Sequence, residues 1–378
     1  MLEHIEQDGP ISRVALAAAL GLSQPTVSQV VAELMAARLV EEVGTGLSRG
    51  GRRPVLLQLS DQAGYIAAVD LGGTRSRLAL FTLRGHRLVD ETGALPAATT
   101  PEQAVRLIAD QVRRITRAAP VPKPLLAVGV AVPGVTDPAT GVVKLAPALG
   151  WEEAPLGHLL AVELGLPVVL DNDVNAAALA ELRFGDGRAW TSFVFVWVGT
   201  GVGAGIVLDG QLYRGSGNCA GEIGYLIVDG PGPERQGPLG FGHLERRLAI
   251  PYLVERARAA HLARPTADDQ AALGALFTAA REGRPEASAV VDEVIERLAR
   301  ALTNVAVILA PQAIVLGGPV GALVQHIVPQ LAGRLRALSP IVPEIRASRL
   351  GDRAGLVGAA ALAAMHAKAS ILERFERG

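Results

Sequence analysis

Apolar residues recur at helical spacing through the first 44 positions, as Leu, Val and Ala spaced three and four apart, and then the pattern changes. Leu39–Val43 is strand-like. A Gly- and Arg-rich stretch from Gly44 to Pro54 interrupts it, and Val55–Leu59 is strand-like again. Helices followed by a hairpin with a long basic tip are predicted. From Tyr65 the chain turns to β-rich runs punctuated by glycine: IAAVDLGGTRSRLALFTL, a helical stretch near 101 to 118, then LLAVGVAVPG. A boundary therefore falls near residue 60. A second β-rich block, SFVFVWVGTGVGAGIVLDGQLYRG over 192 to 215, precedes further helices and IVLGG over 314 to 318. Two blocks of similar β-turn-β character without a short fixed period predict two related lobes and not a solenoid. The Pro- and Gly-rich run 229 to 242 is predicted as an irregular surface loop.

Within the helical front end, LAAALGLSQPTVSQVVAEL, residues 16 to 34, has the layout of a helix-turn-helix. Leu16, Leu20, Val27, Val30 and Leu34 can face one small core. Gly21 permits the tight turn, and Ser23 can cap a second helix whose first turn tolerates Pro25. Gln24, Pro25, Thr26, Ser28 and Gln29 then form an exposed start that fits a major groove, where glutamine pairs with adenine. Arg49, Arg52 and Arg53 at the hairpin tip supply phosphate or minor-groove contacts. The competing reading is a capped helical hairpin for protein contacts with a solvated basic linker. Residues 1 to 60 hold five Arg, no Lys and six acids, so geometry, more than charge, supports DNA binding.

Composition narrows the remaining classes. With 378 residues, 49% hydrophobic, and a mean hydropathy of +0.31, the chain can bury more than one core. The net charge of −1 gives no global field for nucleic acid. A single cysteine, Cys219, excludes an intramolecular disulfide and a Cys-rich zinc site, and agrees with a reducing compartment. The N-terminal MLEHIEQDG lacks a basic leader, and no unbroken apolar run approaches the ~18 residues of a membrane span. A cytoplasmic protein with no membrane partner is expected.

Candidate chemistry lies at strand ends. Asp70-Leu71-Gly72-Gly73-Thr74 follows one apolar strand and precedes another, so its backbone amides can approach phosphate oxygens without an intervening Cβ. Thr74 adds a hydroxyl, and Asp70 a carboxylate for a magnesium shell. Thr200, Gly201 and Gly203 occupy an equivalent turn, and Gly317 and Gly318 end a third strand. Three such turns favour a nucleotide over ordinary hairpins. In LDNDVN, residues 170 to 175, an Asp between strand and helix can accept the proton of a substrate hydroxyl that Asn172 orients, although Asp171 or Asp173 can equally be a helix cap. Glu222 and Glu245 are further candidates for hydroxyl binding, or else surface acids.

Together these segments resemble the ROK family, which groups transcriptional repressors with sugar kinases. The resemblance runs through DLGGT, VAVPGVTDPATGVV, DNDVNAAALAE, VGTGVGAGIVLDG, AGEIG, HLE and IVLGG, and the helix-turn-helix with GGRRP matches the repressor branch. It implies an α/β fold: a winged helix-turn-helix over 1–60 joined to a two-lobed, actin-like and ribonuclease-H-like body. The first lobe spans 61–180, completed by a C-terminal helix over 356–378, and the second spans 181–355. Asp173 then stands at the position of the catalytic base, and Asn172, Glu222, Glu245, Tyr225 and Gly134 lie around the sugar. Gly72, Gly73, Thr74, Thr200, Gly201 and Gly203 line phosphates, and Gly317 and Gly318 lie near adenosine. Two departures bear on this. Relatives place zinc on a His and three Cys, whereas here Tyr225 replaces the His and Gln236, Pro238 and His243 stand near the cysteine positions. Zinc is not expected. Ala148 stands where many relatives have Asn.

The implied function is a sugar-responsive repressor acting as a homodimer or homotetramer on double-stranded operator DNA, with a sugar effector between the lobes. An ATP-dependent sugar kinase, using Mg-ATP with Asp173 as base, is the alternative. A sugar-independent DNA-binding scaffold is the third.

Overall fold

The structure, a computed structural model, describes residues 1–47, 53–230, 242–264, 266, 268–319 and 321–377. The front end is a winged helix: helices Leu2–Asp8, Arg13–Leu20 and Gln24–Ala36 on a three-stranded antiparallel sheet of Ile11–Ser12, Val55–Leu59 and Val40–Thr45. Each helix boundary has a local cause. Ser12 accepts a hydrogen bond from the Ala15 amide, Gly21 ends its helix with φ 64°, and Ser23 accepts from the Thr26 amide. Leu16, Val27 and Leu34 are buried as predicted. Val31, in place of Val30, completes the inward stripe, because 27, 31 and 34 share one face of the helix while Leu20 and Val30 lie at its margin. Arg53 is exposed, whereas Arg49 and Arg52 lie outside the described residues.

The body holds two five-stranded sheets of identical order. In the first, Arg87–Ala94, Arg75–Thr82 and Tyr65–Leu71 form an antiparallel meander continued in parallel by Leu125–Val132 and Val168–Asn172. In the second, Gln211–Tyr213, Val202–Leu208 and Phe193–Val198 form the meander, continued in parallel by Ala313–Gly317 and Glu344–Ala347. The two β-rich blocks of the sequence are these meanders. Ala313–Gly317 is buried at every position, as a parallel strand covered on both faces should be.

Helix Asp173–Phe184 packs on strands of both sheets, and the C-terminal helix Ala354–Arg377 lies across it and against Tyr65–Leu71 and Leu125–Val132. The close crossing needs glycine: a Cβ on Gly358 would come within 1.9 Å of the Ala176 carbonyl oxygen. That C-terminal segment, Gly351–Arg374, is also long and apolar enough to cross a membrane by composition, with a mean hydropathy of 1.4. Its alanines instead fill the core, and Leu356, Ala359, Ala360, Ala363 and Ala367 join one apolar cluster with Ile5, Leu16 and Val27 of the head. Head and first lobe thus share a continuous core.

Candidate functional site

A cleft opens between the two sheets, with a volume of about 670 Å³. It gathers Gly73 and Thr74 from the first hairpin turn and Thr200, Gly201 and Gly203 from the second. It also gathers Asn172, Asp173, Gly134, Glu222, Tyr225 and Glu245. Most of the site residues named from sequence therefore meet at one place. Asp70, Gly72, Gly317 and Gly318 do not line it. Asp70 sits behind the first turn, near enough to Asp173 to influence its charge, and Gly317 lies against the ring of Phe195.

The strand-to-helix turn after Val168–Asn172 assigns its side chains to separate tasks. Asn172 is the N-cap: its Oδ1 accepts from the amides of Val174 at 2.9 Å and Asn175 at 3.0 Å, and its Nδ2 donates to the Gly134 carbonyl at 2.7 Å. Capping thus falls to Asn172, between the two aspartates considered for it, and its amide is committed to the protein. Asp171 is buried and accepts two hydrogen bonds from Arg214. Asp173, at the first position of the helix, has one oxygen 2.9 Å from the Val174 amide and faces the cleft.

Glu245 is also structural in part. Its Oε1 accepts from the Val202 amide at 3.0 Å and its Oε2 from the Gly242 amide at 3.1 Å, tying the second glycine turn to the chain at 242. A Cβ on Gly201 would stand 2.6 Å from Glu245 Oε1, so glycine is required for this approach. Glu222 remains as a cleft carboxyl, and Tyr225 stands beside it on the following short turn.

Electrostatically the cleft is a cluster of acids held away from water. Burial, and then the charge of Asp70, push Asp173 up to about 8. Burial raises Asp70 to about 6 against the opposing charges of Arg77 and Arg75. Glu222 is raised by burial and by Glu245, and Glu245 by burial against its two backbone donors. At neutral pH Asp173 therefore holds a proton that it can donate to a ligand oxygen. Its carboxyl becomes a proton acceptor as pH rises through about 8, or at lower pH where a bound cation offsets the neighbouring acids.

Gly73 and Thr74 line the same cleft as Thr200 and Gly201, and their amides and hydroxyls would hold the phosphates of a nucleotide. Zinc does not fit the residues near its family position. Asp229 is held by Arg297 at 3.0 Å and Arg247 at 3.4 Å, and the Arg247 guanidinium also abuts His243 Nε2. Two guanidiniums occupy the ground a dication would need. Gln236 and Pro238 lie outside the described residues.

Sequence reasoning missed Arg214. It follows strand Gln211–Tyr213, and its carbonyl accepts from Ala220, closing the turn that carries Gly221 and Glu222 into the cleft. Its signal was LYRG at the end of the second meander, where an arginine leaves a strand beside the DND turn only after folding.

Residues 66–366 match the ROK family, and residues 1–53 the MarR family. The xylose repressor of Caldicellulosiruptor bescii is 31% identical over 373 residues, covering 96% of this chain and 94% of its own. A glucokinase of Streptomyces coelicolor is 31% identical over 323 residues, 79% of this chain and 98% of its own. Among solved structures, a ROK family transcriptional regulator, homologous to the Escherichia coli MLC protein, superposes with a TM-score of 0.83 at 25% identity, covering 100% of this chain and 97% of its own. A Streptomyces griseus ROK glucokinase in complex with glucose and AMPPNP gives 0.65 at 28% identity over 80% of this chain and all of its own.

Proposed function

The chain belongs to the ROK family, and on that premise we propose that it is a sugar-responsive transcriptional repressor of carbohydrate-metabolism genes. The observation that carries this reading is the joining of a winged helix to a kinase-like cleft through one continuous core. Gln24, Pro25, Thr26, Ser28 and Gln29 are all exposed at the start of Gln24–Ala36, the position from which such a helix enters a major groove. The xylose repressor of Caldicellulosiruptor bescii and the MLC homologue cover 96% and 100% of this chain, and the two glucokinases 79% and 80%, about the share that the body occupies.

In this reading a sugar sits between the lobes against Asp173 and Glu222, with Tyr225 setting part of the pocket shape. The protonated Asp173 donates to one sugar oxygen. A ligand with different affinity for open and closed lobes shifts the population of one head arrangement, and hence operator affinity. Xylose is the first effector to test because a full-length relative is a xylose repressor. The protein is taken to act in the cytoplasm, as a dimer or dimer-based tetramer, with its head over residues 1–60 and its lobes divided near residue 180. Footprinting on the promoter region of its own gene, with and without xylose, glucose and N-acetylglucosamine, tests the proposal. Absence of any protected site would refute it.

A kinase reading retains support from one arrangement: Asp173 and both glycine turns face a common cleft. Bound ATP would supply a transferable phosphoryl group; this chain would position the acceptor hydroxyl with Glu222 and receive its proton at Asp173. ADP release across an aldose panel, abolished in Asp173→Ala, would establish a bifunctional protein.

A further inference from the structure

A second cavity, of about 210 Å³, lies away from the sugar cleft, where the head meets the body. Its walls come from four parts of the fold. Ile66 and Phe81 are contributed by the first sheet, Ala360, Ala361 and Ala364 by the C-terminal helix, and Arg183 by the last turn of Asp173–Phe184. Glu6 comes from the head helix Leu2–Asp8. The void exists because the C-terminal helix presents alanines where larger side chains would close it. Phe184 and Met365 stand on its wall with 45% and 44% of their surface in solvent, an apolar exposure that a ligand would cover.

The polar part of the wall is unbalanced. Arg84, Arg183 and Lys368 supply three cations, and Glu6 is the lining acid. Glu6 Oε2 is already 2.6 Å from the buried Lys368 Nζ, so that pair is satisfied. Arg183 is paired only at long range, its Nη2 lying 4.0 Å from Glu3 Oε1. An anion in the cavity would give this guanidinium a closer partner. For scale, an apolar protein cavity of about 150 Å³ accommodates benzene.

The geometry points to a second ligand site, for a compact monocarboxylate with a six-membered-ring-sized apolar body, whose carboxylate pairs with Arg183 and Arg84. Helix Asp173–Phe184 begins in the sugar cleft and ends in this cavity, and Glu6 belongs to the DNA-binding head. An occupant therefore touches the element leading from the cleft and the element that anchors the head. This inference rests on the proposed function only where xylose serves as the cleft ligand; carboxylate binding itself is measured directly.

Calorimetric titration of the full chain with cyclohexanecarboxylate is expected to show one saturable site per chain, with cyclohexylmethanol, its neutral analogue, at least about tenfold weaker. Arg183→Gln is expected to weaken the carboxylate by about tenfold while xylose binding is unchanged. Ala364→Phe is expected to abolish it by filling the void, and should that variant unfold, Arg183→Gln and the neutral analogue carry the test alone. Hydrogen exchange should slow in Leu2–Asp8 when the carboxylate is bound. No saturable binding, equal affinity for the alcohol, displacement by xylose, or unchanged exchange in Leu2–Asp8 would each overturn the proposal.

Discussion

Arg214 of the second lobe places Nη2 2.6 Å and Nε 3.1 Å from Oδ2 of Asp171, a first-lobe carboxylate with 1% of its side chain exposed. Asp171 Oδ1 is satisfied separately by the Asn172 amide at 2.8 Å and Asn175 Nδ2 at 3.4 Å. The pair thus joins the turn bearing Asn172 and Asp173 to the turn bearing Glu222. Both walls of the cleft are referenced to one ion pair.

Arg214→Gln leaves a buried carboxylate without its counter-charge and is expected to cost about 3 kcal/mol of stability, the low end for breaking a buried pair. The low end applies because a third of the Arg214 side chain remains in solvent. Sugar affinity should fall as well. Arg214→Lys, which restores charge without the two-pronged geometry, should recover stability more than affinity. Urea denaturation and calorimetric titration of both variants separate the two effects.

Stability should decline as pH rises. Asp70 and Asp173 have folded values of about 6 and about 8 against an unfolded value of 3.8, so the native state retains protons that the unfolded chain releases. The apo protein should lose about 1.4 kcal/mol per pH unit for each of the two groups above pH ~4, through pH ~6 for Asp70 and through pH ~8 for Asp173. Asp173→Asn should flatten the loss between pH 6 and 8. Melting temperatures across this range measure it, and a rise in stability over the same interval would contradict the assignment.

Effector binding should share that dependence. If protonated Asp173 donates to a sugar oxygen, affinity falls as pH passes through about 8. Titration calorimetry at pH 6.5 and 9 provides the comparison, with Asp173→Asn, which keeps a donor, losing the pH response.

The head predictions rest on exposed residues and should leave folding intact. Gln24→Ala and Thr26→Ala are expected to weaken operator binding by about 1–3 kcal/mol if they contact base edges. Arg53→Gln should act on all sequences alike and lower the slope of log affinity against log salt by about 1. Melting curves and footprinting at several salt concentrations distinguish these outcomes.

Short-range chemistry was legible in the sequence. The cap Ser23, the turn at Gly21, the glycines at strand ends and the repeated β-rich blocks are each determined within a few residues, because dihedral freedom and helix-end hydrogen bonding are local. Family resemblance carried the cleft residues further than spacing alone. Tertiary structure decided which polar groups stay available. Asn172 spends its amide on Gly134 and the helix cap, Glu245 spends both oxygens on backbone donors, and Asp171 belongs to Arg214. Asp173 and Glu222 are left in the cleft, the proton of Asp173 held by burial and by Asp70. Pairing partners 38 to 43 positions apart, and the dielectric around a carboxyl, depend on how two lobes meet, which no local pattern encodes.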